Sequence, residues 1–149
     1  MAKRSAILFT VGYQGASAVS VIARLRRHGV RTLLDVRERA RSRRPEFNRA
    51  RLEAALAAHG IAYVHDAELG SPVRIRRKFY EGGDYPEFAR SYRAYLRRWR
   101  LPQVRRLAWL SSRTSVALLC YEADAEACHR GILAKETRAL RPSLEVLHL

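Results

Sequence analysis

The sequence predicts an α/β fold, a three-layer sandwich on a mostly parallel sheet of about five strands, and three observations carry that expectation. Strand-length apolar runs recur at Ala6–Val11, Thr32–Val36, Ile61–His65, Ser115–Tyr121 and Leu144–Leu149, each suited to burial on both faces of a sheet. Amphipathic segments separate them. The first strand, helix and strand fit within about 30 residues, the length of a βαβ unit, which implies parallel pairing and a right-handed crossover. A chain of 149 residues with 48% hydrophobic composition can fill one core without disulfides, so a single domain spanning 1–149 is expected.

Each element follows from local chemistry. The run Ala6–Val11 ends in Gly12-Tyr13-Gln14-Gly15, a turn signal after a buried strand. Ser17 can cap a helix whose apolar positions Ala18, Val21, Ile22 and Leu25 follow the helical stripe, with Gly29 closing it. Thr32–Val36 is the second strand and runs into Arg37. A polar connection, Glu38–Asn48, carries Arg39, Arg41, Arg43 and Arg44 and is broken by Pro45. Asn48 is placed to cap a helix with Leu52 and Leu56 inward, stopped at His59-Gly60, and Ile61–His65 is the third strand. Between Asp66 and Tyr85 the pattern lapses among Gly70, Pro72, Gly82 and Gly83, leaving at most one helical turn near Ile75–Phe79. So long a connection in a compact fold is usually functional or mobile. Pro86 suits the first turn of a helix with Phe88, Tyr92, Tyr95, Leu96 and Trp99 on one face, a stripe whose period argues for core packing over base stacking. Pro102 opens a shorter helix with Val104, Leu107 and Ala108; the fourth strand, a last helix from Asp124 or Ala125 to Leu140, and the fifth strand complete the chain.

Composition limits the functional classes. No apolar run approaches the roughly 20 residues of a membrane helix, and Met1–Ser5 leads into a strand rather than a signal-peptide core. A cytoplasmic protein without membrane association is expected. In that reducing compartment Cys120 and Cys128 are better read as free thiols, ligands or reactive groups than as a structural bridge. The formal net charge is +15, and of the 29 basic residues only Lys3, Lys78 and Lys135 are lysines. Such a surface attracts polyanions, nucleic acid among them. Arginines spread along the whole chain are also what a GC-rich genome produces, so the charge alone assigns no role.

The chemistry gathers at the strand ends. Parallel strands all finish on one edge of a sheet, where a helix N-terminus adds unpaired N–H groups and a positive dipole end. The first strand brings Gly12 and Tyr13 to that rim, the second Asp35 and Arg37, the third His65 and Asp66, the fourth Cys120 and Glu122; the last helix adds Cys128, His129 and Arg130. Arg37, Arg44 and Arg130 are candidates to hold negative charge, Arg130 as a two-pronged partner of carboxylate or phosphate. Gly12 and Cys120 are candidates to line the substrate site. Tyr13, Asp35 and Glu122 are candidates to orient groups or move protons, Glu122 being equally suited to an ion pair with Arg37 or Arg130. Cys128 with His129 is the reactive pair if covalent chemistry occurs. Metal ligation by Cys120, Cys128 and His129 is disfavoured because their spacing matches no standard zinc pattern, and no metal is expected. Neither a Walker loop nor a dinucleotide fingerprint is present, so nucleoside triphosphate hydrolysis is disfavoured and no cofactor is specified.

Taken in order, Thr10-Val11-Gly12-Tyr13-Gln14-Gly15, Leu34-Asp35-Val36-Arg37, Ser42-Arg43-Arg44-Pro45-Glu46-Phe47, Tyr63-Val64-His65 with Glu68-Leu69-Gly70, and Leu119-Cys120-Tyr121-Glu122 through Cys128-His129-Arg130 resemble the domain of unknown function 488 (DUF488) family. The resemblance implies a single cytoplasmic prokaryotic α/β domain and marks the Cys-x-Glu and Cys-His-Arg elements as its signature, without implying a reaction. Tyr13 stands where many relatives carry histidine, so a general-base role is not transferred to it. The Asp-Val-Arg strand end also resembles rhodanese domains in layout, but the interval from Cys120 to Arg130 is too long for their anion-cradling loop. The expected function is therefore an enzyme, of hydrolase or transferase type, binding an anionic, phosphate-bearing or nucleic-acid substrate at the sheet rim. The alternatives are a non-catalytic nucleic-acid-binding module using the arginine-rich surface, and a partner-binding protein whose rim residues are structural.

Overall fold

A computed structural model describes residues 5–149; the start of the N-terminal segment discussed above, residues 1–4, lies outside the described residues. Five strands form one sheet: β1 (Ile7–Gly12), β2 (Thr32–Asp35), β3 (Ala62–His65), β4 (Val116–Cys120) and β5 (Glu145–His148). Their order is β3-β2-β4-β1-β5, and every pairing is parallel. Six helices connect them: α1 (Ala18–Arg27), α2 (Arg49–Ala57), α3 (Val73–Tyr80), α4 (Tyr85–Trp99), α5 (Leu101–Ser111) and α6 (His129–Leu140). The α/β sandwich read from the sequence is the fold observed.

Side-chain alternation along the strands divides the core into two layers. On one face Phe9, Val11, Leu33, Ala117 and Leu119 pack against Val21, Ile22 and Leu25 of α1 and Leu52 and Leu56 of α2. On the other, Leu8, Leu34, Val116 and Leu118 meet Phe88, Tyr92 and Leu96 of α4, Val104 and Leu107 of α5, and Ile132 and Leu133 of α6. The chain steps from β1 to β2 to β3 in one direction across the sheet and returns to β4 and β5 in the other. With crossovers of constant hand, reversal of direction changes the face that the helices cover. Strand β4 thus lies between β1 and β2, whose connections leave toward the face opposite α6. A crevice opens outside the carboxyl ends of strands wherever neighbouring connections diverge in this way, and Cys120 ends the strand at its centre.

Three local expectations change. Residues 73–80 form a full helix rather than one turn, because Ile75 and Phe79, four apart, pack under α4. Asn48 does not cap α2 with its side chain; its Oδ1 instead accepts a hydrogen bond from the Ser42 N–H at 2.7 Å, folding the arginine-rich loop back on itself. The last helix starts at His129, after a 3₁₀ turn at Ala125–Ala127, with Cys128 as its N-cap. The aromatic stripe of α4 is core at Phe88, Tyr92 and Leu96, whereas Trp99, at its end, is exposed.

Candidate functional site

The rim of the sheet is a cleft of about 200 Å³. Tyr13, Arg37, Cys120 and Glu122 reach it from the ends of β1, β2 and β4, and Cys128 and His129 from the start of α6. Glu38, Arg39 and Arg41 from the loop after β2, and Arg76 and Tyr80 from α3, complete its lining.

Asp35 and Arg37 form the floor. The buried guanidinium donates from Nε to Asp35 Oδ1 at 2.9 Å and from Nη2 to Oδ2 at 2.6 Å, and its remaining Nη1 donates to the Tyr13 hydroxyl at 3.1 Å. Tyr63 donates its hydroxyl to Asp35 Oδ2 at 2.5 Å. The two-pronged ion pair with Asp35 keeps Arg37 charged despite its burial, holding its pKa above the ordinary range. Tyr13 is fixed in turn by stacking on Phe47, with ring centroids 4.2 Å apart. Tyr13 and Arg37 therefore line the cleft as a fixed pair, with Asp35 buried behind Arg37.

Arg130 faces inward. It is fully buried, donating from Nη1 to the Glu122 carbonyl and to Cys120 Sγ at 2.9 Å, and from Nη2 to the Ala123 carbonyl at 3.0 Å. No carboxylate lies within ion-pair distance among the described residues, its Nε has no partner, and burial pushes its pKa down to about 10. Arg130 thus clamps the turn after β4 and does not line the cleft. Arg44 is likewise engaged with the carbonyls of Tyr13 and Ala16 and with Glu46. Gly12 lies beneath the cleft: a Cβ there would sit 2.6 Å from the Glu122 carbonyl carbon and 3.0 Å from Arg130 Nη1. Its lack of a side chain lets strand and turn approach each other.

The sulfur, imidazole and carboxylate groups of the rim sit together. Cys120 and Cys128, both buried at the cleft wall, bring their sulfurs into disulfide contact, with Cα atoms 7.6 Å apart. The sequence favoured free thiols or ligands and left open whether the two meet. Cys128 Sγ accepts from the Arg130 backbone N–H at 3.5 Å as the cap of α6 and lies 3.6 Å from His129 Nδ1. His129 Nε2 lies 2.7 Å from the Val36 carbonyl, a contact that requires Nε2 to carry the proton and leaves Nδ1 as an acceptor. Burial lowers the imidazole pKa, so the ring is neutral at physiological pH. Glu122 is half-buried, with Oε2 3.5 Å from Cys120 Sγ and Oε1 accepting from the Tyr80 hydroxyl at 2.9 Å. Desolvation and the adjacent Glu122 charge push Tyr80 up to about 12.

The sequence did not flag Tyr80, Arg76 or Glu38. Arg76 bridges to Glu38 at 3.0 Å and also donates to the Ser71 carbonyl. Their signal was the Ile75/Phe79 spacing, which sets α3 on the core and turns Arg76 and Tyr80 toward the rim. Arg39 and Arg41 are exposed and make no side-chain hydrogen bond or ion pair among the described residues. They are the open cations of the cleft.

Fold and site together define an all-parallel α/β protein with a polar, sulfur-containing cleft at the carboxyl rim of its sheet. The profile of the family described as "Domain of unknown function DUF488" matches residues 17–137, which include Asp35, Arg37 and the segment from Cys120 to Arg130. The chain belongs to the DUF488 family. No curated protein and no solved structure matches it.

Proposed function

We propose that the protein is an enzyme of hydrolase or transferase type that takes a phosphate-bearing anion, a nucleotide or a stretch of nucleic-acid backbone, into the rim cleft. The observation that carries this reading is that one cleft is lined by Cys128, His129 and Glu122 and also by two exposed cations, Arg39 and Arg41, free of carboxylate partners among the described residues. The arginines would hold the substrate's charge. Glu122 would transfer a proton at its carboxylate, oriented by Tyr80, and Cys128 with the neutral Nδ1 of His129 would form the reacting pair. Arg37, Asp35 and Tyr13 would position the floor, and Arg130 the turn that carries Glu122. The whole chain would act as one α/β domain in the reducing cytoplasm, where the two thiols are available.

The second reading, a non-catalytic nucleic-acid-binding module, is favoured by the net charge of +15. Two double variants separate the readings. Arg39→Ala/Arg41→Ala removes the cleft cations, and Arg105→Ala/Arg106→Ala removes two exposed arginines on α5, remote from the cleft. Binding of inorganic phosphate and of a fluorescent single-stranded oligonucleotide is then measured at several salt concentrations. The enzyme reading expects the cleft variant alone to weaken both ligands, by about tenfold, with a salt slope shallower by up to about two counterions. Equal losses of oligonucleotide affinity in both variants would favour the module, and unchanged affinity in the cleft variant would overturn the enzyme reading.

A further inference from the structure

We propose that Cys120, Cys128 and His129 form a binding site for a single zinc ion, open to the rim cleft. The proposal rests on the reading of that cleft as the substrate site and gives Cys128 and His129 a different role there, as metal ligands in place of a reacting pair. It departs from the expectation of no metal, which came from spacing along the chain; the ligands are instead assembled from a strand end and the adjoining helix start.

Four observations point to it. The ligand atoms, both Sγ and His129 Nδ1, lie within 4.8 Å of one another. With zinc–sulfur bonds of about 2.3 Å and zinc–nitrogen bonds of about 2.0 Å, the S···N edge of a tetrahedron is about 3.5 Å, and Cys128 Sγ already stands 3.6 Å from His129 Nδ1. The imidazole is oriented as metal-bound histidines are, with its remote Nε2 held by a backbone carbonyl, that of Val36, at 2.7 Å. The cysteine Cα atoms are 7.6 Å apart, beyond the usual disulfide span of about 4.4–6.8 Å. An ion between the sulfurs spans that separation once Cys120 Sγ rotates to an S···S edge of about 3.8 Å.

Arg130 reaches both sulfurs. Arg130 donates from Nη1 to Cys120 Sγ at 2.9 Å and from its backbone N–H to Cys128 Sγ at 3.5 Å. Its buried guanidinium lacks a carboxylate within ion-pair distance among the described residues. Zinc uptake releases the two thiol protons to solvent, so the ion and its two thiolates add no net charge to the site. Two sulfurs and one nitrogen suit zinc among the common divalent ions and fill three tetrahedral positions. The fourth would be open to the cleft, which Cys120, Cys128, His129 and Glu122 all line, and would take a water or a substrate oxygen.

The test is metal analysis of the whole chain purified under reducing conditions, followed by replacement of zinc with cobalt(II). The expected result is close to one zinc per chain and, with cobalt, the intense near-ultraviolet sulfur-to-metal band and the visible bands of a tetrahedral site. Cys128→Ser and His129→Ala should each weaken zinc binding by at least about tenfold, as measured by competition with a chromophoric chelator, with circular dichroism confirming that the variants are folded. Reduced wild-type protein that takes up neither metal would overturn the proposal, even if the variants failed to fold. So would zinc binding that survives both substitutions, or a Cys120–Cys128 disulfide that persists under the same reducing conditions. Phosphate binding by zinc-free and zinc-loaded protein keeps the two readings apart. Phosphate affinity that depends on Arg39 and Arg41 without metal uptake defeats only the zinc site, and zinc binding without phosphate affinity defeats only the anionic-substrate reading.

Discussion

Replacing Gly12 with alanine tests whether the turn after β4 is held as tightly as the geometry requires. The new Cβ would stand 2.6 Å from the Glu122 carbonyl carbon and closer still to its oxygen, whereas ordinary contact begins at 3.4 Å. The obstacle is backbone, so the turn must retreat by about 1 Å or more, and overpacking of this kind costs about 1–3 kcal/mol. The displaced carbonyl is also the one that Arg130 Nη1 binds, and loss of a hydrogen bond to a buried cation adds about 1.5–3 kcal/mol. The expected destabilisation is about 3–5 kcal/mol. In urea unfolding followed by circular dichroism, that lowers the midpoint by about 1.5–2.5 M at a slope near 2 kcal/mol/M. An unchanged midpoint would mean that strand and turn are not in close contact, and the account of Gly12, Arg130 and Glu122 as one packed unit would fail.

Other expectations follow from the same geometry. Asp35→Asn leaves the Arg37 guanidinium buried without its carboxylate and should destabilise by about 3–5 kcal/mol, against about 1 kcal/mol for Tyr63→Phe, which removes one hydrogen bond; equal effects in chemical denaturation would contradict the central role given to the ion pair. Several tyrosines are held above their ordinary range, Tyr80 and Tyr85 up to about 12 and buried Tyr92 well above 10, chiefly by desolvation. Their raised folded pKa means that the unfolded chain loses phenolic protons first, so stability is fully present below pH about 10 and drains as pH rises toward about 12 and beyond. Native tyrosinate absorbance that rises at the same pH as in the denatured chain would refute this. Arg44→Ala, which frees the carbonyls of Tyr13 and Ala16, should lower the melting temperature while leaving zinc content unchanged; a loss of metal with full stability would show that Arg44 acts at the site instead.

Much of the fold was legible because it is written in short-range pattern. Ser17 accepts from the Ser20 N–H as a helix cap should, Val21, Ile22 and Leu25 face the core, and the four strands that feed the rim end within a residue or two of where the apolar runs stop. What was not legible is long-range. Nothing local specifies that β4 inserts between β1 and β2, and that order brings Cys120 next to Gly12 and both sulfurs into contact. The direction of each arginine was equally hidden. Arg37, Arg44 and Arg130 have the residue type of anion binders, yet each finds acceptors within the protein, whereas Arg39 and Arg41, in the same polar stretch, find none among the described residues. Residue type identified the rim; partnering decides which cations remain open to a ligand.

A phosphate-bearing anion is expected to bind at this rim and not generally on a basic surface. The most direct measurement is an amide NMR titration of the isotope-labelled protein with inorganic phosphate at physiological salt. Binding at the rim should give saturable shifts confined to Glu38–Arg41, Tyr80 and the segment from Tyr121 to Arg130. Shifts that are absent, or that grow without saturation across the arginines of α1, α4 and α5 alike, would contradict it.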